Sequence, residues 1–189
     1  HARRDTGRIF ILGHSEGALI ATMAAQKADV AGLILIAGAG EPAGRVLVRQ
    51  LSAAGAPSEL QDESKRISKS LEQGIRVASI RPELMGIYRQ SVQPYLMSWL
   101  PLDPAAELAR VKSPVLIVQG TTDLQVTAEN AELLASAQPG AKLVMIDGMN
   151  HALRKAPADR AANFATYRNP RLPLAKELVP ALSAFVSAH

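Results

Sequence analysis

Four short apolar runs punctuate the chain: "RIFILG" (8–13), "GLILIAG" (32–38), "PVLIVQG" (114–120) and "KLVMIDG" (142–148). Each ends in glycine, and each is continuous in its apolar residues instead of alternating with polar ones. That pattern predicts strands buried on both faces of a parallel sheet. Helical patterns separate them. Residues 17 to 27 are strong helix formers, with Leu19, Met23 and Lys27, or Ile20 and Ala24, recurring at four-residue spacing. Thr127 is placed to cap a helix reaching Ala137 whose Leu133, Leu134 and Ala137 point inward. The last helix takes Leu174, Leu178, Leu182 and Phe185 as its apolar stripe, with Pro180 expected to kink or split it. Strands alternating with helices of this length imply right-handed crossovers and an α/β fold, a parallel sheet of about four strands flanked by helices.

The stretch 41–100 breaks the rhythm. "PAGRVLVRQLSAAGA" reads as one helix, and "SELQDESKRISKSLEQGI" as a second, opened by a Ser58/Gln61 capping box. "RPELMGIYRQS" reads as a third, with Pro82 in its first turn. So much helix between two strands exceeds a crossover, which predicts a helical cap at 41–100 inserted into a core of 1–40 and 101–189. The apolar residues Leu47, Leu51, Leu84, Met85, Ile87, Tyr88, Tyr95, Leu96, Met97 and Trp99 could line a pocket roof or form the cap's own core.

Totals change this picture little. The chain has 189 residues, 48% hydrophobic and 20% charged, a length at which about 70% of the unfolded surface can be buried. The absence of cysteine excludes disulfides, thiolate zinc sites and a cysteine nucleophile. No apolar run approaches the roughly 18 residues of a membrane helix. The net charge of +4 resides in residues 154–171, as a solvated basic face or an anion-attracting rim. A nucleic-acid surface would need a basic stripe with a reading motif or stacking aromatics, and the chain has only seven aromatics, which argues against one. "HARRDTGR", at the start, has neither an initiator methionine nor an apolar signal core, so the compartment is left open.

The chemistry concentrates at "GHSEG", residues 13–17, between the first strand and the first helix. A serine hydroxyl needs a neighbouring base and an accessible position to act as a nucleophile. A strand turning abruptly into a helix exposes Ser15 in a strained turn, and the following backbone N–H, that of Glu16, points toward a developing oxyanion. Gly13 and Gly17 are expected to relieve crowding between strand and helix. Of the four histidines, His1 and His189 are terminal, and His14 leaves the turn in a different direction from Ser15. That leaves His151 in "DGMNHALR", just beyond the last strand. Loops after parallel strands converge at one edge of the sheet, which makes His151 the candidate base. Asp123 in "QGTTDLQV" is the favoured acid, with Asp147 and Glu16 as competitors.

The ordered motifs "GHSEG", "PVLIVQGTTDLQV" and "GMNHALR" resemble the C-terminal half of an α/β-hydrolase. They are most similar to capped bacterial serine hydrolases of the monoglyceride-lipase, serine-aminopeptidase and feruloyl-esterase kind. The resemblance implies nucleophile Ser15, acid Asp123, base His151 and the Glu16 N–H as an oxyanion donor, with no cofactor or metal. It implies hydrolysis of a small-molecule carboxylic ester through an acyl-enzyme. Amide or thioester cleavage by the same groups, and a non-catalytic binding module on this scaffold, are the alternatives. Such folds carry strands ahead of the elbow, together with a loop supplying a second oxyanion donor. The chain therefore reads as a truncated hydrolase, expected to be a weak catalyst alone. Its "RIFIL" edge is expected to be covered by a second copy, a swapped element or an N-terminal segment.

Overall fold

The computed structural model describes residues 7–189; the first six residues, His1 among them, lie outside the described residues. In chain order the first elements are Phe10–His14 (β1), Glu16–Ala25 (α1), Gly32–Ile36 (β2), Ala43–Ala53 (α2), Ser58–Glu72 (α3), Met85–Tyr88 (α4), Gln93–Trp99 (α5) and Pro104–Leu108 (α6). Val115–Gly120 (β3), Ala128–Ala137 (α7), Lys142–Ile146 (β4), Arg160–Ala165 (α8) and Leu178–Ala188 (α9) complete the series. Tight 3-10 turns at Pro82–Leu84 and Thr166–Arg168 precede α4 and follow α8. Two compact units result, His1–Gly40 with Pro104–His189, and Glu41–Asp103.

The first unit is built on a parallel sheet in the order β1-β2-β3-β4. Leu33, Leu35, Val115 and Ile117 lie on one face in a cluster with Ala18, Ala21 and Ala25 of α1, Leu108 of α6, and Ala131 and Leu134 of α7. Ile34, Ile36, Leu116 and Val118 lie on the other, against Leu178 and Phe185 of α9. Alternate residues of β2 and β3 thus enter opposite layers, which is why Leu33–Ile36 and Val115–Val118 are apolar without a break. Strands added in one direction by connections of one hand place those connections on one face, and α1, α6 and α7 share a layer accordingly. The outer strands differ from the reading of all four runs as doubly buried. Each has a neighbour on one side only, and Leu12 is 51% and Met145 38% exposed. Ile9, just ahead of β1, is 61% exposed, so among the described residues nothing covers the apolar side chains at the β1 edge.

Several local expectations are corrected. Pro57, with φ −54° and ψ 152°, occupies the cap position of α3, so Ser58 is already helical and no capping box forms; Gln61 Nε2 donates instead to the Ala56 carbonyl at 2.9 Å. Thr127 does stand at the cap position of α7, which reaches Ala137 as expected, but makes no side-chain cap bond, and Leu133 is 46% exposed while Leu134 is buried. Pro180 falls in the first turn of α9, where a missing N–H costs nothing, and the helix runs unbroken to Ala188. Leu174 lies before that helix and is exposed.

The second unit has its own core. Leu60, Ile67, Leu71, Leu84, Tyr88, Leu96 and Leu100 are enclosed, with Leu47, Leu51, Ile87, Met97 and Trp99 packed on them. Most of the apolar residues considered for a pocket roof are therefore core of this unit; Met85 and Tyr95 are exposed. The predicted third helix is short because Gly86 and the extended Arg89 leave it a single turn, and α5 follows, opened by Pro94. Buried Gln93 donates to the Val77 and Tyr88 carbonyls and accepts from the Val77 N–H, fixing the link into α4.

Tyr88 is fully buried, and its hydroxyl lies 2.7 Å from Ser64 Oγ and 2.8 Å from Ser68 Oγ, both on α3. Burial pushes the Tyr88 hydroxyl's pKa up, against the opposing effect of those serines. Because Tyr88→Phe would leave two buried serine hydroxyls without that partner, it is expected to destabilise the protein by about 1–3 kcal/mol. Urea unfolding checks this; an unchanged midpoint would contradict it.

Candidate active site

All four strands end at one edge, with His14 in register with Ile36, Ile36 with Val118, and Gly120 with Ile146. The segments leaving those ends carry the candidate residues. Ser15 follows β1 directly with φ 57° and ψ −124°, outside helical or extended geometry, and α1 begins at the next residue. Its N–H still donates to the Ile36 carbonyl at 2.9 Å, so the ladder anchors the turn. Ser15, Ala37 (φ 50°) and Leu153 (φ 62°) are the non-glycine residues with positive φ among the described residues, and they stand in the segments after β1, β2 and β4. Such backbone carries strain of order 1–3 kcal/mol at each site, and here it collects at one rim.

The two elbow glycines do unequal work. A Cβ on Gly13 would lie 2.1 Å from the Gly17 carbonyl oxygen, whereas a Cβ on Gly17 would meet nothing within 4 Å. Only Gly13 is needed for the close strand-to-helix approach, which corrects the equal expectation for both. A third glycine matters as much. A Cβ on Gly120 would fall 1.9 Å from the Met149 carbonyl oxygen. That contact brings the loop after β3 against the loop after β4, where Thr122 N–H also donates to Met149 O at 3.2 Å.

These approaches bring Ser15, Asp123 and His151 together. His151 Nδ1 lies 2.8 Å from Asp123 Oδ2, and His151 Nε2 lies 2.9 Å from Ser15 Oγ. Asp123 is enclosed, its side chain showing no exposed surface, and that of His151 is 10% exposed. Asp123 Oδ1 accepts the Gln125 and Val126 backbone N–H groups, each at 2.9 Å, and Gln119 Nε2 approaches Oδ2 at 3.4 Å. A carboxylate only accepts, so the Nδ1 of His151 carries the proton of the neutral ring. Nε2 is then the acceptor for the Ser15 hydroxyl, the arrangement a general base requires.

Residues 1–165 match the alpha/beta hydrolase family. The chain belongs to that family. It is 25% identical over 157 residues to esterase EstD of Thermotoga maritima, covering 80% of this chain and 36% of that protein. It is 35% identical over 68 residues to the rhodomycin D methylesterase DauP of Streptomyces sp. strain C5, covering 36% of this chain and 23% of that one. The chain thus spans about a third or less of the length of these curated relatives. Among solved structures, BpoC of Mycobacterium tuberculosis H37Rv is similar in fold, with a TM-score of 0.53 at 15% identity, covering 95% of this chain and 66% of that one.

The other candidates in this alpha/beta hydrolase lie elsewhere. Asp147 is exposed, with Thr121 Oγ1 at 3.4 Å from its Oδ1 and Lys155 Nζ at 3.6 Å from its Oδ2. Glu16 opens α1, which keeps its backbone N–H beside Ser15. His14 is turned toward the His151 loop, its Nε2 3.0 Å from the His151 main-chain oxygen. Of the basic stretch 154–171, Arg154 is structural, donating to the Thr166 carbonyl at 2.8 Å and to that of Asn169; Arg160 lies over the Phe164 ring, and the rest are exposed. Among the described residues no cluster of three or more His, Asp or Glu could hold a metal ion, and no helix is long and apolar enough to cross a membrane.

Sequence reasoning missed the polar frame behind the site. Fully buried Asn163 donates to the Thr122 carbonyl at 2.9 Å and accepts from Asn150 Nδ2 at 3.2 Å. One side chain on α8 thus ties the residue before Asp123 to the residue before His151. Asn150 also donates to Thr166 Oγ1 at 2.7 Å and accepts from the Arg154 N–H. The clue present in the sequence was an asparagine beside the candidate base; nothing in "RAANFATYR" distinguished Asn163.

The glycine geometry separates two substitutions. Gly13→Ala is expected to destabilise by about 3 kcal/mol or more, since main chain must move. Gly17→Ala, in a helix with open space around it, is expected to be neutral or stabilising by up to about 1 kcal/mol. Denaturant midpoints for the pair check this, and equal effects would contradict it.

Proposed function

We propose that this chain supplies the nucleophile, base and acid of a serine esterase that works through an acyl-enzyme. The reading rests on the unbroken run of contacts from Ser15 Oγ to His151 Nε2 at 2.9 Å and from His151 Nδ1 to Asp123 Oδ2 at 2.8 Å. As Ser15 Oγ attacks the ester carbonyl, His151 Nε2 takes its proton, and buried Asp123 balances the imidazolium that forms. The Glu16 backbone N–H, at the start of α1, donates to the tetrahedral oxyanion. Collapse breaks the bond to the leaving oxygen, which takes the proton from Nε2 and departs as the alcohol. Water then attacks the acyl-serine by the same sequence and releases the acid.

An ester is favoured over an amide or thioester because relatives sharing this fold include an esterase and a methylesterase. We take the helices of residues 41–100 as a cap inserted in the hydrolase core. The small-molecule ester and the activity of the whole protein belong to the same proposal.

A fluorophosphonate probe is expected to modify wild-type protein at Ser15 and to leave Ser15→Ala unlabelled, read by intact mass and peptide mapping. Labelling of the alanine variant at the wild-type rate would reject the reading. For the acid, Asp123→Asn is expected to lower p-nitrophenyl acetate turnover by about 10⁴ with folding preserved, and Asp147→Asn to change it less than about tenfold. The reverse ranking would move the acid role to Asp147.

A further inference from the structure

The residue before the nucleophile makes a long-range bond that the triad does not require. His14 ends β1, and its Nε2 lies 3.0 Å from the main-chain oxygen of His151, a residue 137 positions away. The two imidazoles are near neighbours, with ring centroids 4.8 Å apart and planes inclined at 41°. A carbonyl oxygen only accepts, so Nε2 of His14 must carry a proton and donate it. The peptide bearing the base is thereby fastened to the residue covalently joined to Ser15.

This bond acts on the main chain of His151, where the Tyr167 hydroxyl, held by Gln125 Nε2 at 3.0 Å, is a second partner. Asp123 and Ser15 hold the two ring nitrogens of His151, the Asn150 and Asn163 amides hold the loop on its N-terminal side, and Ala175 N–H holds Leu153 O at 2.8 Å beyond it. At His151 itself, His14 grips the peptide carbonyl. Nucleophile and base then move as one body, which preserves the Oγ–Nε2 separation on which proton transfer depends. A second cation this close to the His151 imidazolium would oppose its formation. Burial first, and the neighbouring His151 second, lower the pKa of His14 and favour its neutral form.

We propose that His14 is a positioning residue for the reaction, holding the His151 peptide to the nucleophile strand through its Nε2–H and so setting the alignment of base and serine. This rests on the esterase reading above. Misplacement of reacting groups by about an ångström costs as much as 10²-fold in rate, which sets the scale of the effect. His14→Phe keeps a planar ring without the donor, while His14→Gln restores an amide N–H near the Nε2 position without a titrating group.

The test compares wild type, His14→Phe, His14→Gln and Ser15→Ala on p-nitrophenyl acetate and on the fluorophosphonate probe, with melting temperatures alongside. His14→Phe is expected to lose roughly ten- to a hundredfold in kcat and in labelling rate, with KM within about twofold and melting little changed. His14→Gln is expected to recover most of the loss. A wild-type rate for His14→Phe would overturn the proposal, as would a His14→Gln as slow as His14→Phe. Should His14→Phe fail to fold, nitrogen NMR of the wild-type rings decides. A neutral His14 protonated at Nε2 supports the bond, and one protonated at Nδ1 overturns it. Undiminished labelling of Ser15→Ala would instead overturn the esterase reading, and the proposal with it.

Discussion

The site depends on main chain approaching main chain more closely than any side chain would permit. At Gly13 the strand β1 lies against the first turn of α1, and at Gly120 the loop after β3 lies against Met149. The first contact turns the chain so that Ser15 stands at the rim. The second brings two loops together so that Asp123 can reach the imidazole that Met149 and Asn150 lead into. Both are steric conditions, independent of pH and salt. They come before any electrostatic description, because a carboxylate and an imidazole that do not arrive within hydrogen-bond distance have nothing to exchange.

A rigid sheet makes those approaches reproducible. The two central strands lie between two apolar layers, and the rim segments borrow that rigidity through ladder bonds continuing past the strand ends, from Ser15 N–H to Ile36 O and from Ala37 N–H to Val118 O. The positive φ at Ser15 and Ala37 is unfavourable locally and persists because those bonds over-determine it, and that at Leu153 is held by its N–H to Asn150 O and by Ala175 N–H to its own oxygen. Behind the rim, Asn163 and Asn150 replace water with fixed amides, so that the Asp123 loop and the His151 loop share one buried support. The Asp123 carboxylate likewise takes main-chain N–H groups in place of solvent.

The four strands and the α/β class were legible because doubly buried strands are dominated by apolar residues, as the runs "LILI" in "GLILIAG" and "VLIV" in "PVLIVQG" are. The serine turn was legible because strand, glycine, serine and helix follow one another within a few residues. Asp123 and His151 could be read only as loop residues after strands, since sequence orders the loops without measuring the distance between them. What stayed hidden was of two kinds. Steric roles were hidden because Gly13, Gly17 and Gly120 look alike until the atoms opposite a Cβ are known. Polar supports were hidden because Asn163 meets its partners 41 and 13 residues away through bonds that leave no period in the sequence. Caps and helix ends failed for a simpler reason: one residue of shift, as at Pro57, moves Ser58 out of the position its side chain would need.

The central claim is that the His151 ring bridges hydroxyl and carboxylate, with its Nδ1–H directed at Asp123 and its Nε2 at Ser15. Nitrogen-15 NMR of the His151 ring near neutral pH measures this directly. The account predicts Nδ1 protonated and hydrogen-bonded, Nε2 unprotonated, and a perturbed Nδ1 proton resonance that disappears in Asp123→Asn. A ring protonated at Nε2, or a spectrum indifferent to Asp123, would contradict it.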